Sequence, residues 1–145
     1  MKKLAYFVIL ITYFGCSTKI DENNIKNLNG YWEISEVTFA DGETKAFNVN
    51  PTIDYIEVKD AHGFRKKVYP KFDGTFETTD DADYFSINKT NDKFEMCYKP
   101  NMTSDTRMCS RNETLVQLSK NSFSVVNKDT ITYTYLRFQL INARE

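Results

Sequence analysis

Leu28-Asn29-Gly30-Tyr31-Trp32-Glu33-Ile34 holds the single Trp of a 145-residue chain and reads as the opening of a first β-strand. Trp32 and Ile34 share one phase, the two-residue period of a half-buried strand. The apolar phase then shifts to Val37 and Phe39. A bulge near Ser35-Glu36 would absorb that shift, because one extra residue lets a strongly bent strand keep its apolar side chains on one face. Asp41-Gly42 ends the strand in a turn. Trp32 is thereby expected to point into a core that the following strands must supply.

Those strands are legible. Ile53 to Lys59 reads as a second, stopped by Asp60-Ala61-His62-Gly63. Phe64 to Tyr69 is a third, with Phe64, Lys66 and Val68 in one phase and Arg65, Lys67 and Tyr69 in the other. Phe72-Asp73-Gly74 reads as a three-residue hairpin loop with Gly74 left-handed, which keeps Phe76 and Thr78 in phase with Val68. Tyr84 to Lys89 carries Phe85 and Ile87 inward, and Asn91-Asp92 turns the chain. Lys93 to Lys99 alternates Phe94, Met96 and Tyr98 against Glu95, Cys97 and Lys99. After a polar loop from Pro100 to Asp105, Thr106 to Ser110, Thr114 to Leu118, Phe123 to Val126 and Ile131 to Leu140 complete the strands. The segment from Glu43 to Pro51 is a connection without an assigned element. Eight to ten short strands and no amphipathic helix leave two architectures open, an antiparallel sandwich or an up-and-down barrel.

Composition agrees. Eleven Phe and nine Tyr raise the aromatic share to 14%, and β-branched and aromatic residues favour strands. The length suits one domain. A formal net charge of −1 supplies no electrostatic footprint for nucleic acid.

Ahead of the domain, Lys2-Lys3 precedes an apolar run from Leu4 to Phe14 and then Gly15-Cys16. This is the layout of a secretory signal over residues 1–15. The run falls short of the roughly 20 residues that a membrane-spanning helix needs. Tyr13-Phe14-Gly15-Cys16 resembles the bacterial lipobox, whose Cys is acylated and becomes the new N-terminus. Residues 16–27 are then expected to be a polar tether, and 28–145 the domain. Ser17 after the Cys resembles the outer-membrane sorting pattern of Gram-negative lipoproteins. Two or three acyl chains at about 0.8 kcal/mol per buried methylene hold a protein on a bilayer. Removing residues 1–15 leaves 17 basic side chains against 20 acidic ones, a net charge of −3.

Leu28 to Ile34, Phe72-Asp73-Gly74-Thr75-Phe76 and Tyr135-Leu136-Arg137-Phe138 together resemble the bacterial lipocalin-like domain family. Leu115 to Phe123 is similar to its late hairpin. The resemblance implies an antiparallel up-and-down β-barrel with a cup open at one end. It further implies that Arg137 of the last strand packs on Trp32, a cation–π contact of about 0.5–2 kcal/mol that ties the last strand to the first.

Cys97 and Cys109 remain after Cys16. In an oxidising compartment a disulfide is expected; two free thiols or a soft-metal pair are the alternatives. The bridge would close a segment of about 13 residues and add ~3 kcal/mol. Asp80, Asp81 and Asp83 lack the spacing of a calcium loop and read as a solvated turn. His62, the sole His, has no nucleophile or carboxylate arranged around it. No phosphate loop or zinc cluster occurs, so neither a cofactor nor a metal is expected. With no catalytic set to assemble, a non-enzymatic role is expected.

Lys66, Phe64, Phe85, Phe94 and Met96 are the candidate ligand-binding residues, on the expectation that all five face the barrel interior. Lys66 would then meet an anionic ligand group or, with its stem on apolar surface, reach water at the mouth. The leading expectation is a lipid-anchored barrel of the outer membrane that binds a small apolar molecule. The alternative is a protein-interaction or inhibitor module whose barrel is filled by its own aromatics. Cys16→Ala is expected to abolish acyl labelling and release a soluble or uncleaved form, read by fractionation; unchanged processing and membrane retention would defeat the anchor.

Overall fold

The computed structural model describes residues 19–100 and 108–139. The signal segment, Cys16, Thr106-Arg107 and the residues from Leu140 onward lie outside the described residues. A short 3₁₀ helix, Glu22–Leu28, precedes ten strands: β1 (Gly30–Thr38), β2 (Thr44–Ala46), β3 (Ile53–Lys59), β4 (His62–Pro70), β5 (Phe76–Thr78), β6 (Asp83–Thr90), β7 (Lys93–Lys99), β8 (Arg111–Leu118), β9 (Ser122–Asn127) and β10 (Thr132–Arg137). The pairing order is β10-β9-β8-β7-β6-β4-β3-β1, and β1 also pairs with β10. Eight strands therefore close into an antiparallel up-and-down barrel, with β2 and β5 as short additions on β1 and β4.

Local chemistry sets the joints. Asp60-Ala61 and Asn91-Asp92 have both central residues at positive φ, the two-residue hairpin turn whose twist matches that of the strands. The first is shorter than the expected Asp60-to-Gly63 turn, so β4 already starts at His62. At Phe72-Asp73-Gly74 the three-residue loop is present: Lys71 N donates to Thr75 O at 2.8 Å and Gly74 has φ +81°. The β1 bulge falls at Ser35, where the register with β10 shifts between Ile34 and Glu36. Trp32, Ile34 and Val37 thus all stay on the barrel's inner face, paired with Arg137, Tyr135 and Tyr133.

The interior is solid over most of its length. Trp32, Ile56, Met96 and Phe123 are fully buried, and Phe85, Phe94, Leu115 and Val125 nearly so. Trp32 meets Phe123 edge-on at 4.8 Å, and Phe123 stacks on Tyr135 at 4.6 Å, within the range of favourable aromatic pairs.

Four expectations need correction. Residues 16–27 are not a polar tether throughout, because Asp21 caps the 3₁₀ helix and its Ile25 and Leu28 plug one end of the barrel. Spaced three apart, those two side chains share a face at three residues per turn. Phe64 and Lys66 lie on the outer face of β4. Their register partners are Glu57 and Tyr55, whereas Arg65 and Lys67 pair with the inward Ile56 and Asp54. The apolar phase of β4 is real but serves a second, external layer. Phe76 stacks on Tyr31 at 4.3 Å, and Tyr31, Tyr55, Phe64 and Tyr84 continue the contacts around the outside. Met108 to Ser110 is irregular, and β8 begins at Arg111. The last strand stops at Arg137 instead of reaching Leu140.

Leu28→Ala, which removes a fully buried side chain, is expected to cost about 2–5 kcal/mol in urea unfolding. Asn24→Ala on the exposed side of the same helix is expected to change stability by less than about 0.5 kcal/mol. Equal effects would mean that the helix does not plug the barrel.

Candidate binding site at the barrel mouth

The hairpin turns after β3, β6 and β8 and the 3₁₀ helix gather at one end, which is closed. At the other end the inward positions of β3, β4, β8 and β10 change character. Asp54, Arg65, Lys67, Arg111, Glu113 and Tyr135 replace the aliphatic residues found lower down, and they line an open cavity of about 700 Å³. That size suits a small-molecule site.

The floor is a buried ion pair with phenols around it. Arg65 Nη2 donates to Asp54 Oδ2 and to the Tyr135 hydroxyl, each at 2.7 Å, and the guanidinium stands 4.7 Å from the Tyr135 ring centre. Lys67 Nζ lies 2.8 Å from Asp54 Oδ1, an ion contact whose geometry falls short of a directed hydrogen bond. On the facing wall the Tyr98 hydroxyl donates to Glu113 Oε2 at 3.0 Å. Arg111 covers the Tyr98 ring at 4.0 Å, with Nε 3.4 Å from Glu113 Oε1 and Nη2 3.5 Å from Asp83 Oδ2.

Burial and charge act against each other here. Burial alone would raise the Asp54 carboxyl, but the charge and hydrogen bond of Arg65, with Lys67 behind, hold it below the usual carboxylate range. Burial likewise opposes the charge on Arg65, yet Tyr135 and Asp54 more than restore it. Burial pushes both Tyr98 and Tyr135 upward, against the pull of Arg65. All members of the floor thus keep their ordinary ionisation near neutrality, with Asp54 anionic, Arg65 cationic and the phenols protonated.

The sequence-derived site residues fall in three places. Phe85, Phe94 and Met96 face inward but belong to the packed core. Phe64 is on the outer face. Lys66 contributes to the cavity wall, while its ammonium turns outward to stand 5.6 Å from the Phe64 ring centre. The five are not brought together. The expected disulfide joins Cys97 to Cys109, and it fixes the chain beside the mouth, where Ser110 N donates to Tyr98 O at 2.9 Å. His62 is exposed, its Nδ1 2.9 Å from Asp60 O, and is not part of the cavity. Among the described residues no group of three or more His, Cys, Asp or Glu is placed to hold a metal ion.

Asp54, Arg65, Lys67, Arg111, Glu113 and Tyr135 are not among the site residues that the sequence offers, because alternation alone does not tell which face of a strand lines the barrel. The available signal was β3 itself. Ile53 and Tyr55 in one phase and Ile56 and Val58 in the other mark a strand covered on both faces, which leaves Asp54 nowhere exposed to go.

Removing one partner of a buried pair leaves an uncompensated charge, at a cost of about 3–5 kcal/mol. Asp54→Asn is expected to lose stability on that scale at pH 7. Because the folded-state carboxyl is held low, its contribution is fully present above the unfolded-state value near 3.8 and is lost as pH falls through the lower, folded-state value. Urea unfolding across pH 2–7 should therefore show a smaller acid loss in Asp54→Asn than in the parent. Parallel curves would contradict the pair.

No family model matches the chain, and no curated protein does. Solved structures similar to it include a lipocalin-like protein from Bacteroides uniformis ATCC 8492, at 13% identity and TM-score 0.47. An uncharacterized protein from Bacteroides eggerthii DSM 20697 matches at 13% identity and TM-score 0.46. Each match covers 77% of this chain and 99% of the other. The closed barrel follows from this chain's own strand pairing.

Proposed function

We propose that this chain is a non-enzymatic, lipid-anchored protein of the bacterial outer membrane that binds a small polar molecule in the mouth of its barrel. The observation that carries the reading is the division of the interior. Its apolar part is filled by Trp32, Phe85, Phe94, Met96 and their neighbours, while its open part is walled by Asp54, Arg65, Arg111 and Glu113. This favours a polar ligand over the apolar one expected from sequence. Apolar cargo would have to desolvate charged groups and return nothing to them.

Anchoring at Cys16 is part of the same proposal. Cys16 and Lys19 are three positions apart, a reach of roughly 10 Å at full extension. The helix that follows plugs the closed end, so a chain held by Cys16 sets that end toward the bilayer and opens its mouth to water. Ligand would then arrive from the aqueous phase. The Cys97–Cys109 bond suits an exported protein.

A second reading, an interaction module, draws on the filled core and on fully exposed Phe72 at the tip of the β4–β5 hairpin. Amide NMR of the processed chain carrying Cys16→Ser separates the possibilities. An aqueous extract of host cells is expected to shift Arg65, Arg111, Asn127 and Tyr135, and a chloroform extract to leave the spectrum unchanged. Shifts at Phe85, Phe94 and Met96 with the chloroform extract would restore the apolar cup. A response confined to the Phe72 hairpin, seen with envelope proteins alone, would favour the interaction module.

A further inference from the structure

The charges of the mouth are layered, and the layering selects a ligand class. Asp54 and Glu113, the two buried carboxylates of the wall, already have partners. Asp54 has Arg65 at 2.7 Å and Lys67 at 2.8 Å; Glu113 has Arg111 at 3.4 Å and the Tyr98 hydroxyl at 3.0 Å. Their side chains are 3% and 10% exposed, whereas those of Lys67 and Arg111 are 57% and 47% exposed. The carboxylates thus lie beneath and the cationic heads lie where a ligand arrives.

Three inward cations, Arg65, Lys67 and Arg111, stand over two buried carboxylates. At the rim the described residues add Lys128 against Asp83 and Asp129, while the Lys66 ammonium turns outward, so the formal charges balance and the positive character of the mouth comes from placement, with the cationic heads outermost. Asp83 meets Arg111 at only 3.5 Å with its side chain 63% exposed, where water screens such a pair heavily. An ammonium also carries three N–H donors, more than the single oxygen of Asp54 beside Lys67 absorbs. Tyr133 and Tyr135, adjacent inward residues of β10, add an aromatic wall with hydroxyls.

We infer that the mouth takes an organic anion, a small molecule whose carboxylate lies between Lys67 and Arg111 and whose body rests against Tyr133 and Tyr135. The inference rests on the reading of the mouth as the ligand site and adds its chemistry. Charge-assisted hydrogen bonds from lysine and arginine to a carboxylate are the strong ones, and here the anion also neutralises the layer it enters. Arg65 is not a contact residue in this picture; it stays on the floor and holds Asp54.

Equilibrium dialysis of the processed chain in phosphatidylcholine nanodiscs tests it, with succinate, benzoate and inorganic phosphate as anions. Succinamide and 1,4-diaminobutane serve as the neutral and cationic counterparts of succinate. A carboxylate is expected to bind saturably at low salt and at least tenfold more tightly than its counterparts. Lys67→Gln and Arg111→Gln are each expected to weaken it tenfold or more while leaving the circular dichroism spectrum unchanged. Binding of phosphate alone would overturn the carboxylate assignment. Succinamide or diaminobutane binding as well as succinate, or both variants binding at parental strength, would overturn the inference while leaving the mouth as the site. Failure of every probe, charged or neutral, would overturn both. Should either variant misfold, Lys67→Arg and Arg111→Lys keep the charge and are expected to retain binding within about threefold.

Discussion

Everything in this molecule depends on the pairing of its first strand with its last. Trp32 and Arg137 are register partners across β1 and β10, and the guanidinium stands 4.1 Å from the indole ring centre. The same side chain donates to Asn29 O at 2.9 Å and Asn27 O at 2.7 Å, and it also bonds Lys120 O. One residue therefore ties together the start of the sheet, the end of the plug helix and the β8–β9 turn. Gly30 is part of the device. Its φ is +127°, a conformation that residues with a Cβ rarely adopt, and a Cβ there would come within 2.5 Å of Arg137 Nη1, so that a substitution has to displace the guanidinium from its place on Trp32. Without the closure, β1 and β10 would be two open edges inviting association with other chains.

Closure makes the two ends of the barrel different. At one end tight turns and the helix finish the core, and the Trp32 indole N–H finds its acceptor in Leu28 O at 2.7 Å. At the other end Asp54, Arg65, Lys67, Arg111 and Glu113 of β3, β4 and β8 line the opening. Replacing a buried ion pair by packed apolar residues is often neutral or stabilising, so the Arg65–Asp54 pair is poorly explained by stability alone. Its position at the floor of the opening, with the Tyr135 hydroxyl bonded to the guanidinium, is what a preorganised polar surface requires.

Much of this was legible. The bounds of β3, the slip at Ser35, the loop at Phe72 to Gly74 and the bridging of Cys97 to Cys109 follow from local rules of period, turn chemistry and compartment. What escaped at the mouth has one physical origin: a strand covered on both faces does not tell by alternation which face is inward. β4 is apolar outward, because the β4–β5 hairpin folds back over it, and is charged inward, because it lines the mouth. The bulge at Val116 left no mark in the pattern. Glu22–Leu28 carries only two apolar anchors, too few to distinguish a plug from a tether by period alone.

Native-state hydrogen exchange across the β1–β10 seam tests the closed barrel most directly. In a closed barrel the seam amides of Glu33 and Leu136 open only with the whole molecule, as slowly as those of central β7 and with the same denaturant dependence. Exchange of those two through local opening, far faster than in β7, would show two free edges where a closed barrel requires a seam.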